Sequence, residues 1–243
     1  MSILQIQPND LKRLKDIDPS IDFVRALKSE LEKDSGTIFR YSNHENTYLN
    51  MISRQLSDLT DPPADLNGLE AFIKSITKSP SDSREKWRGK RCMVDLLELV
   101  KRFYYDPLTN GANSIKKVLP AILNRSHYLQ QKYSQPIYGC TEGIISKNFI
   151  NQRWIVSENG FIKDPYSLLD PINKGAPDEK IELLFEDEYL KEGGAATIAY
   201  AKLQFTHMSD FEREELRKAL LKYCELDTLA MVMIVGAWQD MIR

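Results

Sequence analysis

Cysteine is scarce in this 243-residue sequence, and the little there is stands apart. Cys92, Cys140 and Cys224 are odd in number, and no two share a Cys-x-x-Cys spacing. That argues against a cysteine-built zinc site and against a disulfide framework. His44, His127 and His207 are isolated from one another, so a histidine metal cluster could arise only through the fold. A bias of charge is missing too. Lys and Arg number 33 against 35 Asp and Glu, a net charge of -2, so no global basic field announces nucleic acid. A local basic groove stays open. No apolar run approaches the roughly 20 residues of a membrane span. The start "MSILQIQPNDLKRL" lacks a secretory signal's charged opening, long apolar run and small-residue cleavage site. These absences read as a cytoplasmic protein. There are no internal repeats or low-complexity tracts. With 42% hydrophobic and 28% charged residues, the chain has the composition of a globular domain, and we expect one domain over 1–243.

What is present alternates. "DFVRALKSELEKDSG" (22–36) spaces Phe23, Leu27 and Leu31 as a helix does, and Ser35-Gly36 reads as its stop. "TIFRYSN" reads as a strand, and "ENTYLNMISRQLSDL" as a helix through Leu49, Ile52 and Leu56. Helix–strand–helix is a piece of an alternating α/β fold. After the turn cluster "DPPADLNG", "LEAFIKSIT" reads as a short helix and "KSPSDSREKWRGKR" as an exposed loop. "RCMVDLLELVKRFYY" opens on a short apolar run and continues as a helix, which "DPLTNGANS" breaks. "SIKKVLPAIL" is a helix with Ser114 as N-cap, and Pro120 inside it predicts a kink or an early end. Residues 130–192 are turn-prone throughout and read as an irregular insertion. "GGAATIAYAKLQF" is a helix of small residues suited to close packing. The longest helical signal follows, opened by a capping box of Ser209 and Glu212. On it Leu220, Leu221, Leu226 and Met231 are available for a core.

Three stretches hold candidate chemistry. On the last helix Tyr223 and Asp227 are four residues apart, within about 40° of one face. A carboxylate one turn from a phenol can hold a divalent cation while the phenol orients a water. The plain reading is a core-edge tyrosine beside a solvated carboxylate. In "RYSNHENTYL", Glu45 sits where a strand hands over to a helix, facing a ligand crevice or only complementing the helix dipole; Asn43 is a candidate N-cap. Asp95 in "MVDLLELV" holds a comparable junction, where N-capping is again the plain reading. Three acidic residues of this kind suit Mg²⁺ or Mn²⁺, and paired ions of that type clamp both oxygens in phosphodiester cleavage. The loop "REKWRGKR" (84–91) interleaves Lys86 and Trp87 with arginines. It reads as a solvated loop or as a contact for a nucleic-acid backbone and base. The "SIKK" start offers helix N–H groups and Lys116 to a phosphate, or plain capping.

The ordered run "TIFRYSNHENTYLN", "MVDLLELVKRFYYDP", "SIKKVLPAIL", "DPYSLLDP", "GGAATIAYAKLQF" and "LLKYCELDTLAMVMI" resembles the bacterial family called domain of unknown function 2779, over about residues 22–238. That family in turn resembles the DEDD exonucleases of the ribonuclease H-like superfamily, the group of the DnaQ-type proofreading enzymes. The resemblance implies a ribonuclease H-like mixed sheet with flanking helices. It implies four acidic residues on two metal ions and hydrolysis of a DNA or RNA 3′ end. "YCELD" is similar to the Tyr-x-x-x-Asp third motif, making Asp227 a metal ligand and Tyr223 the residue that orients water. Glu45 in "NHEN" stands where the second motif usually has Asp. Asp95 matches a supporting position.

The first motif, Asp-x-Glu on the opening strand, has no counterpart in "MSILQIQPNDLKRLKDIDPSI". The expectation is therefore the C-terminal part of such a fold, lacking its first strands. Mg²⁺ or Mn²⁺ would be held weakly or not at all, and hydrolysis by the chain alone would be slight. An exposed sheet edge would invite a second chain that supplies the missing strands. The alternative, from a different class, is a non-catalytic binding or assembly module that keeps the fold.

Overall fold

A computed structural model describes residues 19–169 and 194–242. The chain falls into two compact units, residues 1–105 and 106–243. Residues 1–18 and the part of the expected insertion over 170–192 lie outside the described residues. Helices and two-stranded sheets are mixed, in keeping with an α/β class. Among the described residues no helix is long and apolar enough to cross a membrane.

The first unit runs α1 (Pro19–Leu31), β1 (Phe39–Arg40), α2 (His44–Ser57), α3 (Leu66–Ile76), β2 (Val94–Asp95) and α4 (Leu96–Phe103). The strands are parallel, with Phe39 opposite Val94 and Arg40 opposite Asp95. The expected strand over "TIFRYSN" thus shrinks to two residues, because β2 offers no longer partner. The core is Ile21, Val24, Leu27, Leu49, Leu56, Leu69, Phe72, Ile73, Ile76 and Met93. Helix α1 starts earlier and stops earlier than 22–36. Its buried face is Ile21, Val24 and Leu27, with Phe23 and Leu31 at the edge. Its end is set from outside. The Arg91 guanidinium donates to Leu31 O at 2.6 Å, a carbonyl that the helix end leaves unpaired, and to Gly36 O in the following loop at 2.8 Å.

Gly89 is required by close approach: a Cβ there would stand 2.1 Å from Ser75 O. That contact lets the 87–93 stretch run along the end of α3, with Gly89 N donating to Thr77 O and Met93 N to Ile76 O. Asn46 fastens the same region from α2. Its amide accepts from Lys78 N at 2.9 Å and donates to Lys78 O at 3.2 Å.

The second unit carries a 3-10 turn (Pro107–Thr109), α5 (Ile115–Arg125), α6 (His127–Tyr133), β3 (Ser157–Glu158), β4 (Phe161–Ile162), a second 3-10 turn (Pro165–Leu168), α7 (Gly194–Phe205) and α8 (Asp210–Met241). Helices α5, α6 and α7 pack on α8. Asn159 and Gly160, both at positive φ, turn the β3–β4 hairpin as an Asn-Gly pair does. Pro120 does not end α5, which continues to Arg125. The proline costs about 3 kcal/mol in a helix interior. Buried Val118, Leu119, Ala121, Ile122 and Leu123 outweigh it.

On α8 the buried face is Leu216, Leu226, Leu229, Ala230, Met233, Ile234 and Ala237. Of the four residues expected in the core, only Leu226 is fully buried; Leu220, Leu221 and Met231 lie half-buried. The capping box forms as the sequence requires, Ser209 Oγ accepting from Glu212 N and Ser209 N donating to the Glu212 carboxylate. Ser209→Ala is expected to lower the stability of this unit by about 1 kcal/mol, read as a shift in the urea midpoint at unchanged slope.

Candidate functional site

In the first unit the carboxyl ends of the parallel strands gather "RYSNHE" and Asp95. Asp95 Oδ1 accepts from Ser42 N at 3.0 Å and from Leu97 N at 3.1 Å, the second bond capping α4. Its Oδ2 pairs with Arg40 Nη2 at 3.2 Å, the two side chains being 14% and 3% exposed. Arg40 Nη1 donates to Asn43 Oδ1 at 2.8 Å. Asn43 therefore holds the N-cap position of α2 without bonding its amides, and its Nδ2 reaches Thr47 Oγ1 instead. Ser42 has φ 88, a left-handed backbone that a non-glycine residue adopts at a cost. The Asp95 bond to its amide holds it there.

Glu45 lies in the first turn of α2. Loss of solvation raises its carboxyl above the usual range; its own amide, Arg40 and His44 pull it down, and Asp95 adds to the rise. The side chain still reaches solvent, so the rise weighs little on stability. Burial, and then Asp95, push the Tyr41 phenol upward.

In the second unit α8 presents Tyr223 and Asp227 together. The second 3-10 turn brings Tyr166, whose hydroxyl donates to Asp227 Oδ1. The two tyrosine rings lie 5.8 Å apart, tilted by 50°. The first turn of α5 brings Lys116, whose Nζ is 5.1 Å from the Tyr166 ring centre and 4.9 Å from that of Tyr223. Asp227 is half-buried. Burial raises its carboxyl above the usual range, while the Tyr166 donor and Lys116 pull it back. Tyr166 and Tyr223 are raised by burial and then by Asp227. Asp164 opens the turn by accepting from Tyr166 N at 3.0 Å, and burial raises it against Lys116 and Lys117. Ser114 caps α5 by position, without a side-chain cap bond.

One residue of this turn of helix goes unnoticed in the sequence. Glu225, between Tyr223 and Asp227, is 2% exposed. Its Oε1 accepts from Tyr138 Oη at 2.7 Å and Ser146 Oγ at 2.6 Å, and its Oε2 from Asn148 Nδ2 at 2.6 Å. It ties the loop over 138–148 to α8. Gly139 makes that loop compact, with φ +80 and a would-be Cβ 2.0 Å from Phe149 O. The clue in sequence terms is weak: a run of small polar residues in an irregular stretch.

Part of the basic loop is engaged within its own unit, while Arg84, Arg88 and Lys90 are exposed. Trp87 is half-buried, its Nε1 donating to Thr77 Oγ1 at 3.3 Å and its ring lying under Lys74 Nζ at 5.3 Å. Lys86 bonds Pro80 O and Ser81 O, and Arg91 caps α1. Of the acidic candidates, the structure brings Glu45 near Asp95 in one unit and Asp227 near Tyr223 in the other. Among the described residues no group of three or more His, Cys, Asp or Glu side chains is placed to hold a metal ion. Asp95 has both oxygens engaged, and Asp227 accepts a phenol proton beside an ammonium. These donors do not make the oxygen-rich cage that Mg²⁺ or Mn²⁺ takes. The one Asp-x-Glu triplet in the sequence, Asp210–Glu212, begins α8 as part of its capping box and not on a strand.

Comparison with protein-family models, with curated proteins and with solved structures gives no match for this chain.

Proposed function

We propose that this chain is an exonuclease-like module of the ribonuclease H-like class. It engages a DNA or RNA strand at its 3′ end. Metal-dependent 3′–5′ hydrolysis would take an Asp-x-Glu pair brought by a second chain. The observation that carries this reading is the third-motif pair: Tyr223 and Asp227 share one face of α8, half-buried, with a lysine ammonium beside them. Asp95 and Glu45 at the carboxyl ends of two parallel strands, where α/β folds take their ligands, lend it support.

The second reading, a non-catalytic binding or assembly module, is favoured by the full engagement of Asp95 and by Tyr166 on Asp227.

The test uses a 5′-labelled single strand. By fluorescence anisotropy the wild-type chain is expected to bind it at low salt, with affinity falling as salt rises. In Mn²⁺ neither the wild type nor Asp227→Ala should shorten it. Absence of binding at low salt would sink the nucleic-acid reading. Shortening by the wild type that Asp227→Ala abolishes would sink the need for a second chain.

A further inference from the structure

We propose that the hairpin over 78–91 is the surface on which the phosphate backbone of a bound single strand lies. Lys78, Arg84, Arg88 and Lys90 are its contacts, and Trp87 is not a platform for a base. The inference rests on the nucleic-acid reading above and deepens it by naming where the strand is held.

The charge of this hairpin is local and one-sided. Residues 78–91 hold six basic and two acidic side chains, a net of +4 in a chain whose net charge is -2. Ser79 N donates to Trp87 O at 3.0 Å and Gly89 N to Thr77 O at 2.8 Å, a short antiparallel ladder in which Lys78 stands opposite Arg88. Side chains of such a ladder alternate between its faces. Thr77, Trp87 and Gly89 take the inner face, where Thr77 is buried and Gly89 backs onto Ser75 O. Lys78, Lys86 and Arg88 take the outer face, and Lys90 continues it; all four are exposed. Arg84 is exposed in the connecting loop.

The counter-ions are elsewhere. Both acids of the hairpin face cations from outside it, Glu85 with Lys74 at 2.8 Å and Asp82 with Arg54 at 3.9 Å. Arg91 is turned to the end of α1, and Lys86 to the carbonyls of Pro80 and Ser81. Lys78, Arg84, Arg88 and Lys90 make no side-chain hydrogen bond or ion pair among the described residues. Like charges directly opposite on a ladder are destabilising. Lys78 against Arg88 therefore costs the fold and returns nothing to it. A polyanion lying across the outer face supplies the missing charge.

The chemistry of that face selects the partner. A membrane surface or a protein interface takes apolar or aromatic side chains as well as charge. No large apolar side chain between Met51 and Phe103 is exposed. Trp87, the one aromatic of the hairpin, sends its Nε1 to Thr77 Oγ1 and keeps its ring under Lys74 Nζ. What remains is charge alone, with two guanidinium forks suited to phosphate oxygens. Outward side chains two positions apart stand about 6.6 Å from each other. A backbone with one charge per nucleotide meets them in succession.

The experiment measures the affinity of the full chain for a 5′-fluorescein-labelled oligothymidylate across a KCl series. Arg88→Gln with Lys90→Gln is expected to weaken binding about tenfold or more at low salt. It should flatten the slope of log K against log salt by about 1.4, the loss of two phosphate contacts on a single strand. The control removes the same charge elsewhere: Lys33→Gln with Lys101→Gln, two lysines paired with Glu30 and Glu98, should leave the slope unchanged. An equal loss in both double variants, or in neither, would overturn the proposal. The urea midpoint of Arg88→Gln with Lys90→Gln should not fall; a fall would give these residues a structural task and overturn it too. In acetylation footprinting of the wild-type chain, read by peptide mass, the strand should protect Lys78 and Lys90 and spare Lys33. Equal labelling with and without the strand counts against the hairpin. Binding to phosphatidylserine vesicles but to no strand would assign the face to a membrane, and the nucleic-acid reading and this inference would fall together. If the strand binds and the hairpin is indifferent, this inference falls alone.

Discussion

Asp95→Ala is expected to destabilise the first unit by about 3 kcal/mol or more. The substitution leaves the Arg40 guanidinium, 3% exposed, without its anion. It also removes the acceptor for Ser42 N and Leu97 N, so a strained residue and a helix start lose their tie together. Asp95→Asn keeps an oxygen for those two amides and loses only the ion pair, so it should fall between wild type and Ala. Urea unfolding followed by fluorine NMR of fluorotryptophan-labelled protein separates the units, since Trp87 reports on the first and Trp154 and Trp238 on the second. The sign of the effect is informative. A carboxylate kept for catalysis is commonly strained, and its removal stabilises. A rise in the Trp87 midpoint for Asp95→Ala would therefore overturn the structural role.

Glu225→Ala is expected to cost the second unit about 4 kcal/mol, read at Trp154. Three neutral donors, Tyr138 Oη, Ser146 Oγ and Asn148 Nδ2, lose their acceptor at once. Each buried donor left unsatisfied costs about 1–3 kcal/mol, partly recovered where water enters. Glu225→Gln should cost less than Ala but not be silent. Its oxygen still serves one side, while its NH₂ faces a donor on the other. A Glu225→Ala midpoint within error of wild type would show that the loop over 138–148 holds itself together without α8.

These two carboxylates also show what the sequence makes legible. The N-cap reading of Asp95 is local, needing only an acid at the start of a helical pattern, and it forms. The Ser209–Glu212 box is legible for the same reason, as is the Asn159-Gly160 turn. Arg40 is not legible, because its burial depends on Asp95, which follows 55 positions later. Glu225 is hidden more deeply. Helical periodicity assigns a glutamate to solvent by default. Its burial is decided by donors 77 to 87 residues earlier in the chain, inside a stretch with no periodicity. The end of α1 is missed for a similar cause. A guanidinium about 60 residues away takes its last carbonyl, that of Leu31. Pairing of Tyr223 with Asp227 follows from helix geometry alone. That Tyr166 and Lys116 meet them does not, since two further elements must pack to bring them there.

Residues 223, 225 and 227 alternate around one turn of α8, successive members lying about 200° apart. Tyr166 and Lys116 grip one side of that turn, and the three donors to Glu225 grip the other. A helix held on opposite sides has no axial play. The orientation of Asp227 and Tyr223 is therefore fixed during folding, and the entropy of aligning them is spent before any ligand arrives. Loosening the loop at 138–148 should therefore reach the far side of the helix as lost alignment of Tyr223 and Asp227.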